Sequence, residues 1–326
     1  MKSSYKFRRM ALVIAMILVG FSASGLAQTC FTSDEMDAAT RSAIQSTASR
    51  YFDMVSRGDT ATLKQNAIPT LASNFGGLEG TIKENQANLA GAHATPRAPY
   101  ELKAEGTAPL ARAEFLCGIF GAAGQTANST EFVIPNLPPG TYGIAILDVT
   151  TQKSPYTVSF VLQQAGTDWK LGGLFLRPAQ IAGHDSKWFL DHANAFKAKG
   201  QTHNAWLYYL QGRELALAVP FMETQAIDKL YDEEPSMKTS DLPAGGNTTD
   251  LVAPGGKTFK LITVSPLPVQ ASVADTGQAF QENMAVMKAL ITKYPEFRDA
   301  FDGVVARGVE SSGRDYGTMM PMKDIK

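Results

Sequence analysis

Residues 50–65, RYFDMVSRGDTATLKQ, decide how the first part of this chain folds. Upstream of Gly58, apolar residues recur at the spacing of a helix, and this pattern predicts one long amphipathic helix that ends at the glycine. Its apolar members are Ile44, Ala48, Tyr51, Phe52 and Val55. Asp59 can cap a second helix that carries Leu63. The stretch predicts two consecutive helices whose apolar side needs a partner.

Two short polar patterns indicate where helices begin. Thr32-Ser33-Asp34-Glu35 has the form of a capping box and predicts the start of the long helix. Thr81-Ile82-Lys83-Glu84 repeats the form and predicts the start of a third helix, after Pro69 has broken the second.

The periodicity changes between Tyr100 and Arg177, where short runs rich in β-branched and aromatic residues alternate with turn-forming clusters. The clearest runs are 142–149, 156–162 and 169–176. Helices followed by a meander of strands predict an α+β fold, in which the leading helices cover one face of a curved antiparallel sheet.

The stretch RYFDMVSRGDTATLKQ, together with the closing strand WKLGGLF at 169–175, resembles the nuclear transport factor 2 like (cystatin-like cone) superfamily over residues 33–178. The resemblance implies a cone whose sheet wraps a pocket, a scaffold of isomerases, dehydratases and non-catalytic binding domains. The segment NLPPGTY at 136–142 resembles the turn of small prealbumin-like sandwich modules, which is the alternative fold. We prefer the cone because such a sandwich has no place for the leading helices.

Helical periodicity returns after Pro178, in two segments that turn at Gly200. Their faces carry Phe189, Ala193 and Phe196, then Ala205, Tyr209 and Gly212. The spacing is similar to one tetratricopeptide unit, without a second copy. Since one such unit cannot bury its own apolar face, we expect the hairpin, residues 181–231, to pack on the cone or on a partner.

Residues 232–257 are rich in Pro and Gly and poor in large apolar residues, which predicts a flexible linker. Residues 258–326 are expected to form a small C-terminal α+β unit. Its predicted elements are a strand at 259–264, a helix with Phe280, Met284, Met287 and Ile291 on one face, a helix from Pro295 and a strand at 316–322. The cone domain would then occupy residues 28–180.

The first 27 residues have the pattern of a signal peptide. Four basic residues precede the uncharged run 10–21, and Gly25 and Ala27 are the small residues expected before a cut. A membrane anchor is the alternative, but a 12-residue run spans only about 18 Å of a roughly 30 Å hydrocarbon core. We therefore expect cleavage and export to the periplasm or the extracellular space.

Cleavage would leave an acidic chain, because the removed segment contains four basic residues and no acidic one. No basic run remains to neutralise phosphates, so nucleic acid is not an expected partner, and neither is a membrane. In an exported chain Cys30 and Cys117 would most simply form a disulfide; two buried free thiols are the alternative. They are not spaced as Cys-x-x-Cys, which argues against redox or zinc chemistry.

A catalytic function would need a carboxylate in the cone pocket, and Asp53 and Asp148 are the two weak candidates, because both lie beside apolar positions. For each, a surface charge at the edge of an amphipathic element is the simpler interpretation. No metal or cofactor is expected. His184, His192 and His203 lack the three- or four-residue separation of helical zinc ligands, and Met284 and Met287 fall on the predicted core face rather than in a copper site.

The sequence thus favours an exported accessory or binding protein that offers an interaction surface or a small-ligand pocket to a protein partner or a small ligand. The alternative is a small-molecule isomerase or lyase that uses a carboxylate in the cone pocket.

Overall fold

The computed structural model describes residues 28–122, 124–266, 269–272 and 278–326. The predicted signal peptide, residues 1–27, lies outside them. The described chain is a mixed α+β structure, as predicted. Its α-helices are α1 (Ala38–Arg57), α2 (Thr60–Gln65), α3 (Pro69–Ser73), α4 (Gly76–Leu89), α5 (Ser186–Ala198), α6 (Thr202–Ala216), α7 (Gln225–Met237) and α8 (Ala279–Lys293). Short 3-10 helices span Pro295–Asp299 and Met322–Asp324.

The strands fall into three sheets. Sheet 1 contains β1 (Gln28–Phe31), β2 (His93–Pro96), β3 (Tyr100–Ala104), β6 (Gly140–Thr150), β7 (Tyr156–Ala165) and β8 (Asp168–Pro178). Sheet 2 contains β4 (Leu110–Gly118), β5 (Ser129–Leu137) and β9 (Met222–Thr224). Sheet 3 contains β10 (Thr249–Val252), β11 (Thr258–Thr263), β12 (Val269–Ser272), β13 (Gly303–Val309) and β14 (Asp315–Pro321). We call residues 28–178 the first half and residues 181–326 the second half.

Helix α1 ends where the sequence predicts but begins later. Gly58 ends it in the left-handed conformation, with φ of 69°, which glycine adopts without strain. At the other end the Asp37 carboxylate accepts a 2.8 Å hydrogen bond from the Thr40 N–H, so Asp37 is the cap. The predicted capping box does form its bond, since the Thr32 N–H donates to Glu35 at 2.8 Å, but it closes a turn that precedes the helix.

The predicted start of the third helix at Thr81 is wrong. Helix α4 already begins at Gly76, where the buried Phe75 anchors the first turn and its carbonyl accepts from the Glu79 N–H at 2.9 Å. The Thr81 hydroxyl therefore bonds back to the Gly77 carbonyl at 3.1 Å instead of capping a helix.

Sheet 1 is antiparallel and is covered on both faces. Along β6, Ala145, Leu147 and Val149 pack beneath the leading helices, while Ile144 and Ile146 pack beneath sheet 2. Because both faces of β6 are covered, residues 143–147 are all buried and do not show the alternation of buried and exposed residues that is usual in strands. The predicted strands at 142–149, 156–162 and 169–176 are confirmed within β6, β7 and β8.

Sheet 2 packs face to face on sheet 1, which the preferred cone does not include and the alternative sandwich does. Strands β4 and β5 pair with each other and, through β5, with β9 from the second half, rather than extending sheet 1. The predicted disulfide is confirmed: Cys30 on β1 and Cys117 on β4 are bonded, with their Cα atoms 5.1 Å apart. It therefore joins sheet 1 to sheet 2.

The helical hairpin is confirmed as α5 and α6, which turn at Gly200. It shares one hydrophobic core with sheet 3 and α8. Helix α6 lies inside this core, since Ala205, Trp206, Leu207 and Tyr209 are all buried. The chain then returns to the first half, where Val219 is buried against sheets 1 and 2 and β9 completes sheet 2.

The C-terminal elements match the predictions in part. Strands β11 and β14 are where the sequence predicts them, but β12 and β13 were not predicted, and the helix from Pro295 is a 3-10 helix that ends at Asp299. The core face of α8 contains Met287 and Ile291 as predicted, but Phe280 is 55% exposed and Met284 is half-buried, whereas Asn283, Val286 and Leu290 are buried. Helix α8 packs against both sheet 3 and α6, so more than one of its faces is buried. A sequence pattern with a single apolar stripe does not predict the second buried face.

Residues 232–257, predicted as a linker, contain more secondary structure than their composition indicates. Helix α7 runs through Pro235 to Met237, and residues 249–252 form β10. Met237, Leu242 and Leu251 are buried in the second-half core. Three well-spaced apolar residues attach the segment to that core although its overall composition is polar.

Candidate functional site

The space between the leading helices and sheet 1, where the cone resemblance implies a pocket, is filled with side chains. Tyr51 and Phe160 occupy its centre with ring centroids 6.2 Å apart and are fully buried. The Tyr51 hydroxyl donates to the Trp169 carbonyl at 2.8 Å, and burial raises its pKa. Ile44 packs so tightly on the sheet that a Cβ at Gly143 would lie 3.0 Å from it. This interior therefore resembles an ordinary protein core.

The two carboxylates that the sequence singled out lie outside this interior. Asp53 is on the exposed side of α1. Asp148 on β6 is exposed as well and receives a bidentate interaction from Arg97, with the Arg97 Nη2 at 2.5 Å from Oδ1. This hydrogen-bonded guanidinium lowers the pKa of Asp148, opposite to what a general base that works near neutral pH needs.

The sequence did not single out Glu101, which is the only buried carboxylate among the described residues of the first half, at 7% exposure. It lies on β3, opposite Gly143 in register, on the side that the helices cover. Lys103 is 3.4 Å away and also lies 4.6 Å from the centre of the Phe31 ring. The alternation of polar and apolar residues in β3 predicts an exposed Glu101, and only the packing of the strand beneath α1 buries it.

The space between sheets 1 and 2 is filled as well. Phe115 and Phe132 of sheet 2 are fully buried against Leu102 and Ile144 of sheet 1. Phe221 closes this space from the second half: its ring lies 5.6 Å from that of Phe175. Both faces of the large sheet are thus used for packing.

The outer face of sheet 2 is exposed and carries three glutamates and one cation, Arg112, which is paired with Glu114. Leu116, Glu131 and Glu223 are neighbours in register across β4, β5 and β9, and Leu116 is 57% exposed. Burial and the nearby carboxylates of Glu223 and Glu114 raise the pKa of Glu131. We call Glu114, Leu116, Glu131 and Glu223 the acidic face.

An open cleft of about 710 Å³ lies beside the disulfide. Its walls include the turn at Thr32–Glu35 and the start of β5, and Tyr100 lies at its base with its hydroxyl 3.1 Å from that of Thr130. Ile119, 68% exposed, stands at its edge. The cleft offers hydroxyl and carboxylate groups on a surface that a ligand or a partner segment can reach.

Two of the histidines enclose a tryptophan. The rings of His184 and His192 lie 3.6 Å and 3.7 Å from that of Trp188 and are nearly parallel to it. His192 Nδ1 is also 2.9 Å from the Trp188 carbonyl. These contacts are stacking and hydrogen bonding within the hairpin.

The third histidine joins three segments of the second half. His203 Nδ1 lies 2.8 Å from Glu296, and its Nε2 lies 2.9 Å from Asp241. Partial burial acts to raise the pKa of Asp241, but the hydrogen bond and positive charge of His203 outweigh it and lower this pKa. We call His203, Asp241 and Glu296 the histidine clamp.

In the part of the chain that the structure describes, no three His, Cys, Asp or Glu side chains are grouped as metal ligands. The methionines near the C-terminus are divided: Met287 and Met322 are buried, whereas Met319 is 75% exposed. Among the described helices, none has the length and apolar character of a membrane span.

Comparisons with known proteins give no relative for this chain. It matches no family model, no curated protein and no solved structure.

Proposed function

We propose that this chain is an exported, non-catalytic binding protein, with a first half of the nuclear transport factor 2 like type and a single tetratricopeptide-like hairpin. One observation carries the proposal: side chains fill the space on both faces of sheet 1, where an enzyme of the cone type would hold its substrate. The disulfide supports export, because such bonds persist in oxidising compartments.

The acidic face is the surface best suited to a partner. Like charges directly opposite each other on neighbouring strands are destabilising, and Glu131 and Glu223 are such a pair. A partner that brings Lys or Arg beside an apolar group would relieve this repulsion and cover Leu116. A single exposed apolar side chain is ordinary on a protein surface, so the pairing of like charges is what favours this face.

Protein-observed NMR with a fragment library tests the proposal. We expect fragments to perturb surface residues and the second half, and to leave the signals of Tyr51, Leu147 and Phe160 unchanged. The variant Ile44→Ala is the positive control, because removing a fully buried side chain opens a cavity between α1 and sheet 1. Saturable shifts at Leu147 and Phe160 in the unmodified protein would contradict the proposal.

The buried Glu101 favours a second candidate, an isomerase or lyase in which this carboxylate removes a proton from carbon. Such a base exchanges substrate hydrogen for solvent deuterium, which NMR in D₂O detects for a panel of small ketones and hydroxy acids. Glu101→Gln should abolish this exchange, whereas Glu105→Gln, at an exposed position, should retain it. The two results together would establish this candidate. If hydrogen exchange in the presence of the protein is no faster than in buffer alone, this candidate is excluded for the compounds of that panel.

A further inference from the structure

Among its described residues, the core of the second half is incompletely filled. An apolar cleft of about 170 Å³ enters it between α6, α8 and the segment that leads into β13. Its walls include Leu207, Leu290 and Phe297, which are between 1% and 2% exposed, together with Val264 and Val304. The cleft therefore penetrates the core and is not a surface depression between loops.

The lining is apolar almost throughout. Ser265 supplies the one polar side chain among the residues that line it, and none of these residues is charged. The nearest part of the histidine clamp faces away: His203 meets Phe297 edge-on, with centroids 6.4 Å apart, and its two ring nitrogens are directed at carboxylates. A charged ligand would lose its hydration here without gaining a partner.

The size and shape of the cleft indicate what it can hold. An apolar cavity of about 150 Å³ stays dry and accepts one benzene molecule. Phe297 and Phe301 stand edge to face at 5.7 Å and 85°, so a ring placed beside them can meet the face of one or the edge of the other. Phe301 and Val305 are partly exposed and form the mouth.

We propose that this cleft binds a neutral compound with a single aromatic ring. The inference rests on the proposed binding function and gives it a ligand class. The proposed function and this inference can fail separately. NMR shifts at Leu147 and Phe160 test the proposed function, whereas NMR shifts at the residues that line the cleft test the inference.

Methyl-detected NMR of the full chain, titrated with benzyl alcohol, tests the inference. We expect saturable shifts at Leu207, Leu290 and Val304. Benzoate, which has the same ring with a charge, should bind at least about tenfold more weakly. Shifts that do not saturate, or equal binding of benzoate, would overturn the inference.

A filling substitution locates the site. Val264→Phe adds a ring to the wall of the cleft and should weaken benzyl alcohol binding by about tenfold or more. Val252→Phe makes the same change at a position 61% exposed and should leave the affinity unchanged. If Val264→Phe fails to fold, Val304→Leu makes a smaller filling change and should also weaken binding. A folded filling variant that binds as well as the original chain would overturn the inference.

Discussion

Sheet 1 of the first half and sheet 3 of the second half are both covered by helices, but they differ in how completely the space beneath is filled. Beneath α1, aromatic and aliphatic side chains fill the space and Tyr51 and Phe160 are fully buried, while on the opposite face a disulfide joins sheet 1 to sheet 2. Beneath α6 and α8 an apolar cleft remains. The apolar cleft thus lies among the described residues of the second half, whereas the space between α1 and sheet 1, where the resemblance implies a pocket, is filled.

Removing the disulfide should have the largest effect and should affect the first half alone. The bond closes a loop between positions 87 residues apart, and its loss through Cys30→Ser with Cys117→Ser should cost about 4–5 kcal/mol in the chain-entropy model. Amide hydrogen exchange can measure each half separately. Protection should fall in β1 and β4 and persist in α6 and α8; an equal fall in both halves would show that they unfold together.

Two phenylalanine truncations compare a fully buried ring in the first half with the ring at the mouth of the cleft. Phe160→Ala removes a fully buried ring from the filled core and should cost about 3–5 kcal/mol. Phe301→Ala removes a partly exposed ring from the mouth of the cleft and should cost roughly 1–2 kcal/mol. Urea unfolding measures both, and equal costs would remove the distinction between the cores.

Removing the histidine clamp should lower the stability of the second half only. His203→Ala removes the contacts to Asp241 and Glu296 and should lower the stability of that half by about 1.5–3 kcal/mol, as for hydrogen bonds to charged groups. His192→Ala, in the same hairpin, removes one hydrogen bond to a carbonyl and one stacking contact, and should cost less. Exchange rates in α6 and in the segment around Asp241 would report the difference; unchanged rates after His203→Ala would show that the clamp adds nothing.

A substitution in the acidic face should have the smallest effect on the free energy of unfolding, and it should stabilise the protein rather than destabilise it. Glu223→Gln removes the carboxylate opposite Glu131 and should stabilise the free protein by about 0.2–1 kcal/mol at neutral pH. Glu105→Gln, at an exposed position, is the control.

The pH dependence provides a second check of the same face. Because the folded-state pKa of Glu131 is raised, its contribution to stability is complete below the unfolded pKa of about 4.3 and is lost as the pH rises through the folded pKa. Asp148, whose pKa is lowered, contributes above about 3.9 and loses its contribution as the pH falls through its folded pKa. Glu131→Gln should remove a contribution that falls as the pH rises, and Asp148→Asn should remove one that falls as the pH drops. The difference in unfolding free energy between each variant and the original chain should therefore change with pH in opposite directions.

Local pattern predicted part of this fold. The end of α1 at Gly58, strands β6, β7 and β8, the hairpin at Gly200 and the tail strand follow from periodicity and from turn residues, which act within a few positions. The pairing of Cys30 with Cys117 followed from their even count in a chain expected to be exported.

What each element packs against was harder to predict. Strands β4 and β5 form most of sheet 2, and β9, about 90 residues after β5, adds its third strand; no local pattern reports this last contact. Glu101 is buried for the same kind of reason, since its environment depends on α1 and β6. Asp53 and Asp148 have apolar sequence neighbours, but helix and strand geometry directs both to the surface.

Xenon binding to crystals of the protein tests the comparison between the halves most directly, because xenon occupies apolar cavities without needing any chemical group. We predict xenon in the cleft lined by Leu207, Leu290 and Phe297, and none between α1 and sheet 1. Xenon beside Tyr51 and Phe160, with the second-half cleft empty, would contradict the account.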